Sequence, residues 1–170
     1  ARLSSVFQPI RSSDNLNLLG HEAFVRTFSV NDQGLSILKL LEHATTDDES
    51  VELDRLCRLL HVINFFRQTS TENCDLYLNV HKRLLTAVAG NHGAAFHRVL
   101  KTLDIPQKHI VLQLPVISPT QRWVITHVAE NYKRNGFRIA VHAQNIEQAF
   151  DLLERVHPEV VKLNVESNLV

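Results

Sequence analysis

Two cysteines among 170 residues, Cys57 and Cys74, lack the Cys-x-x-Cys spacing of a redox or zinc motif and are too few for a disulfide framework. They read as reduced thiols of a cytoplasmic protein. A charge excess of either sign is also missing. Eighteen Lys plus Arg balance eighteen Asp plus Glu, so no basic field is available to hold a polynucleotide or an anionic bilayer. No apolar run reaches membrane length and no signal-peptide pattern is present, so membrane insertion is not expected. Repeats, low-complexity tracts and Pro-rich linkers are absent, which predicts a single domain over residues 1–170. There is no Gly-x-Ser-x-Gly elbow, no Gly-rich phosphate loop and no paired Cys-His spacing, so the commonest hydrolase, nucleotide and thiol chemistries find no signature.

What is present is ordinary globular composition, with 44% hydrophobic and 21% charged residues. Ten histidines are many; most are expected at the surface, where they would add positive charge as the pH falls toward ~6.5. Short β-branched or aromatic runs predict strands at Ser5 to Ile10, Leu18 to Arg26, Asp75 to Val80, Ile110 to Leu114, Phe137 to His142 and Val160 to Val165. Helical periodicity lies between them. Val51 to Gln68 carries Leu53, Leu56, Leu60 and Ile63 as one apolar stripe. Ser118, Pro119 and Gln121 read as an N-cap, a first-turn proline and a capping-box glutamine, opening a helix that Gly136 closes. Asn145 with Gln148 repeats the start signal, and Ile146, Ala149, Phe150 and Leu153 are its expected buried stripe. Strand-helix alternation implies a mainly parallel α/β sheet, either doubly wound or a barrel.

The segment Gly20-His21-Glu22-Ala23-Phe24-Val25-Arg26, following Phe7-Gln8-Pro9-Ile10, resembles the opening of the EAL-domain family, whose active members hydrolyse cyclic di-GMP with divalent metals. The resemblance covers essentially the whole chain. It implies a modified (β/α) TIM-like barrel whose first strand is antiparallel to the rest. About six of eight strands can be matched, where a full barrel usually takes about 250 residues. Either the chain is a fragment or it is a half-open barrel with an exposed edge, which favours a protein partner or a homodimer.

Residue by residue, the resemblance places a carboxylate ring at the strand ends, because two hard cations need several oxygen ligands. Glu22 matches the motif glutamate and Asn79 the amide ligand. Gln113 stands where the family has Glu, His142 and Ala143 where it has a pair of Asp, and Asn164 where it has Asp; Lys162 matches the family lysine. One carboxylate leaves two divalent ions poorly compensated, so no metal or other cofactor is expected and the domain reads as a degenerate, catalytically inactive regulatory member acting through protein contacts. A single softer metal site from Glu22, Asn79 and His142 is the weaker alternative. Gln8 and Arg26 match positions that approach the dinucleotide, and a guanidinium suits phosphate. They define the second reading, a metal-independent cyclic di-GMP receptor, against the plainer one in which Gln8 satisfies backbone groups and Arg26 pairs with an acid. A residual phosphodiesterase ranks last. Trp123 suggests either a partner anchor or half-buried packing, Asp47-Asp48-Glu49 a helix start, and His81-Lys82-Arg83 a solvated surface.

Overall fold

The computed structural model describes residues 2–28, 46–68, 73–87 and 90–164. Alternation of apolar side chains writes two strands at once into the beginning of the chain. Strand β1 (Arg2–Arg11) turns back on β2 (Leu18–Phe28), antiparallel, with Gln8 opposite Glu22 and Val6 opposite Phe24. Four parallel strands follow: β3 (Leu76–Asn79), β4 (Ile110–Leu114), β5 (Arg138–Ala143) and β6 (Val160–Leu163). Their spatial order is their sequence order. The result is a six-stranded curled half-barrel with its first strand antiparallel, as the sequence predicts. Val165, the expected end of the last strand, lies outside the described residues.

Helix α1 (Asp47–Phe66) starts on a capping box. The Glu49 amide donates to Thr46 Oγ1 at 3.2 Å while the Thr46 amide donates to Glu49 Oε2 at 3.3 Å. The acidic run therefore opens a helix, as read. The expected stripe is not the buried one. Leu56 is 54% exposed, and the inward face is Val51, Asp54, Cys57, Arg58, His61, Val62 and Phe65. That face docks on the outer side of the first hairpin, where Asn64 Nδ2 donates to Ser5 Oγ at 3.0 Å and His61 Nδ1 shares a 2.8 Å hydrogen bond with the same hydroxyl. Polar anchors oriented this helix, and hydrophobic periodicity does not register them.

Helices α2 (Lys82–Ala87) and α3 (Ala94–Thr102) lead to β4. Helix α4 (Arg122–Arg134) follows a 3-10 turn over Pro119–Gln121, and Ser118 makes no capping bond; its hydroxyl meets Thr120 Oγ1 instead. Gly136 does take the left-handed conformation, φ +83°. Helix α5 (Ile146–Val156) is capped as predicted, with Gln148 N–H donating to Asn145 Oδ1 at 2.8 Å.

Of the expected α5 stripe only Ala149 packs against the core. Ile146 and Phe150 are 64% and 65% exposed and Leu153 is also exposed, while Leu152 and Val156 are buried. Arg155 faces α4, donating to the Arg122 carbonyl and to Thr126 Oγ1. Helical geometry puts Ile146, Phe150 and Leu153 on the flank away from α4. Trp123 is 72% exposed on α4, which settles it as a surface residue.

Period-two alternation divides the sheet into two faces. Leu76, Leu78, Ile110, Leu112, Leu114, Ile139 and Val141 pack with the helices in the main core. Tyr77, Val111 and Ala140, with Ile10 and Val160 against them, form a small second core on the concave face. Among the described residues no helix is long and apolar enough to cross a membrane. The histidines are less exposed than expected: His61 and His92 are buried, and His127 and His157 are exposed.

Candidate functional site

The concave face is floored by the small core and roofed, toward the C-terminal ends of the parallel strands, by polar side chains. That is the end where barrels of this kind hold their chemistry. Strand pairing brings the roof together. Gly20 lets β2 approach β3, since a Cβ there would lie 2.6 Å from the Asp75 carbonyl oxygen and 2.8 Å from the Tyr77 ring. The His21 amide then donates to that carbonyl at 2.9 Å, fixing Glu22 beside Tyr77. Asn79 pairs with Gln113 across β3 and β4, and His142 with Lys162 across β5 and β6.

Glu22 is the hub. Asn79 Nδ2 and Gln113 Nε2 each donate to its Oε1 at 3.0 Å, and Lys162 Nζ donates to Oε2 at 2.7 Å. Gln113 Nε2 also donates to Asn79 Oδ1 at 3.1 Å. The ammonium of Lys162 stands 5.8 Å from the centre of the Tyr77 ring. Burial pushes the Glu22 carboxyl up, but the Lys162, Asn79 and Gln113 donors together hold it below the ordinary glutamate value. His142 is driven below the usual imidazole value, first by burial and then by the Lys162 charge, with Glu22 opposing. Gln113 is fully buried, and its Oε1 has no hydrogen-bond partner among the described residues.

Four of the residues picked from sequence therefore form one hydrogen-bonded cluster, with His142 beside it. The others stand apart. Gln8 is exposed, cross-strand from Glu22 on the same face. Arg26 is exposed, four residues further along β2, roughly 13 Å at strand rise. Ala143 does not face the cluster: it is buried in the core beneath the helices. Asn164 is exposed just beyond β6, its amide donating to the Ala143 carbonyl at 2.9 Å. Among the described residues no group of three or more His, Cys, Asp or Glu could hold a metal ion.

Beside the cluster opens a cavity of about 730 Å³, reached by Asn79, Gln113 and His142 from the strands and by Asp54, Arg58 and His61 from α1. The α1 contribution and Tyr77 escaped sequence reasoning. Tyr77 lay two residues before Asn79 and so on the same face, a signal that alternation offered; the α1 residues carried none.

The sequence matches the EAL domain family over residues 1–167. No curated protein matches it. Among solved structures, it is similar to the Bacillus subtilis YkuI protein with an EAL domain, in complex with cyclic di-GMP and calcium, at 19% identity and a TM-score of 0.68, over 94% of this chain and 40% of that one. Klebsiella pneumoniae BlrP1, in a manganese and cyclic di-GMP complex, is 13% identical with a TM-score of 0.74, over 95% and 40% of the two chains. The FimX EAL domain from Pseudomonas aeruginosa bound to cyclic di-GMP is 15% identical with a TM-score of 0.71, over 95% and 65%. The chain thus spans less than two thirds of each of these.

Proposed function

Because this chain belongs to the EAL domain family, we propose that it is a single cyclic di-GMP signalling domain that has given up hydrolysis and regulates another protein by contact, in the bacterial cytoplasm. The observation that carries this is the occupancy of Glu22: both its oxygens already accept from donors, one of them an ammonium. A divalent pair brings four positive charges and needs several oxygen ligands. Here the only carboxylate of the cluster is neutralised by Lys162, Gln113 presents an N–H toward Glu22, and Ala143 turns into the core. These residues do not fit two divalent cations. The protein-contact half of the proposal draws support from Trp123 on α4 and from Ile146, Phe150 and Leu153 on α5, large apolar side chains held in solvent. A partner protein or a second copy would cover them.

The cavity beside the cluster favours a second reading, a metal-independent cyclic di-GMP receptor gripping with Gln8 and Arg26. Calorimetry with cyclic di-GMP, with and without magnesium, separates the two. No heat in either condition is expected from a protein-contact module. Heat that is independent of magnesium and weakened in Arg26→Ala would establish the receptor. Turnover that disappears in Glu22→Gln would refute both.

A further inference from the structure

The side chain least explained by the fold is Arg58, which lines both the cavity beside the Glu22 cluster and a second, smaller one. It is 4% exposed on α1, its Nη2 lies 3.0 Å from Asp54 Oδ2, and its guanidinium carbon sits 5.1 Å from the centre of the Phe96 ring. Its Nε and Nη1 meet no acceptor at hydrogen-bond geometry among the described residues, although the buried Tyr132 side chain stands close enough to interact with the guanidinium. Buried donors left in that state are costly unless something meets them. Arg58 lines a cavity of about 260 Å³ between α1 and the start of α3. The opposite wall is the first turn of α3, from Gly93 to Phe96. Gly93 offers no side-chain cap and the turn holds no acid; the Ala94 amide donates to the Asn91 carbonyl at 3.4 Å, which leaves the Ala95 and Phe96 amides at the dipole end to meet an anion. Leu59, Leu84 and Val99 supply an apolar wall, and Glu52, His92 and Tyr132 add polar edges.

We propose that this cavity is a second binding site, for a small carboxylate carried on an apolar body, held between the Arg58 guanidinium and the first turn of α3. Size and charge both select that class. Pockets for larger ligands run from about 300 Å³ upward, so a dinucleotide is too large, whereas an acid the size of benzoate suits the space. Arg58 shares its charge with Asp54, and Arg55 at the rim pairs with Glu52 at 3.4 Å. A dianion would be under-compensated there; a monoanion with an apolar body matches both walls.

The test is a benzoate titration of the protein followed by amide NMR. Expected are saturable shifts at Gly93, Ala95 and Phe96 with a dissociation constant on the order of 1 mM, weakened roughly tenfold in Arg58→Lys and unchanged in Glu22→Gln. Arg58 substitutions disturb Asp54, so Val99→Trp, at a part-exposed position on the cavity wall, supplies the independent variant and should abolish the shifts. Benzoate that fails to saturate these amides overturns the proposal. So does saturation unaffected by Val99→Trp, and so does inorganic phosphate saturating the same amides where benzoate does not. A negative result here leaves the reading of the Glu22 cluster standing, because that is tested with cyclic di-GMP and in other residues.

Discussion

The strands that carry the Glu22 cluster at one end carry a second polar cluster at the other, and the two are built on opposite plans. At the base, Arg138 is a cation between two acids, 2.7 Å from Asp75 Oδ2 and 2.6 Å from Glu159 Oε2, with His109 Nδ1 3.0 Å from Asp75 Oδ1. At the mouth, Glu22 is one acid among three donors. The base, where Arg138 and Glu159 are part-exposed, ties the start of β3 to β4 and β5 and ties β5 to the start of β6, as a closure that holds the sheet. The mouth is more enclosed, spans the cup, and leaves Gln113 Oε1 buried with no partner among the described residues. Polar groups at the base satisfy one another, whereas the roof keeps one buried acceptor that its neighbours do not meet.

If the base is the structural closure, Arg138→Ala has the largest effect on folding, a loss of about 2–3 kcal/mol by urea denaturation at pH 7. A loss smaller than that of any mouth substitution would reverse the comparison. Lys162→Met comes next, at about 1–2 kcal/mol, because it leaves Glu22 charged, half-buried and held only by amides. The sign with pH is fixed. The Glu22 carboxyl lies below its ordinary value in the fold, so the stabilisation from Lys162 is present above the unfolded value and is lost as the pH falls through the folded one. The gap between wild type and Lys162→Met should therefore shrink on acidification, and a constant gap would assign Lys162 to packing alone.

His61→Gln gives the smallest effect, below about 1 kcal/mol at pH 8, since an amide can still meet Ser5. Burial pushes His61 down to about 4, so the folded protein takes up its proton later than the unfolded chain does. Stability contributed by the neutral ring is complete above ~6.5 and is lost as the pH falls toward about 4. The variant should lose stability less steeply across that window. An unchanged slope would place the acid sensitivity in the carboxylate clusters instead.

Much of this was legible before the fold was seen. Short β-branched and aromatic runs located all six strands, and the family resemblance brought Glu22, Asn79, Gln113 and Lys162 into one list. It did not tell that the Gln113 amide donates to Glu22, which depends on β4 pairing with β3 in the register that sets Gln113 beside Asn79. Helix faces were the weak point. In α5 apolar residues occur at both 146/150/153 and 149/152/156, and periodicity has no means of choosing the stripe that meets the sheet. In α1 the choice was made by His61 and Asn64 reaching Ser5, contacts more than fifty residues apart in sequence.

The Glu22–Lys162 pair has a kinetic consequence. Successive strands are neighbours, so the sheet can grow unit by unit through short chain closures, whereas this pair joins residues 140 apart. Four strand spacings separate β2 from β6, roughly 19 Å in a flat sheet, so the pair can form only after the curl is complete. This order predicts that it forms after the rate-limiting step of folding. Lys162→Met should accordingly hasten unfolding while leaving the refolding rate almost untouched, a φ-value near zero for the residue that ties the two sides of the cup.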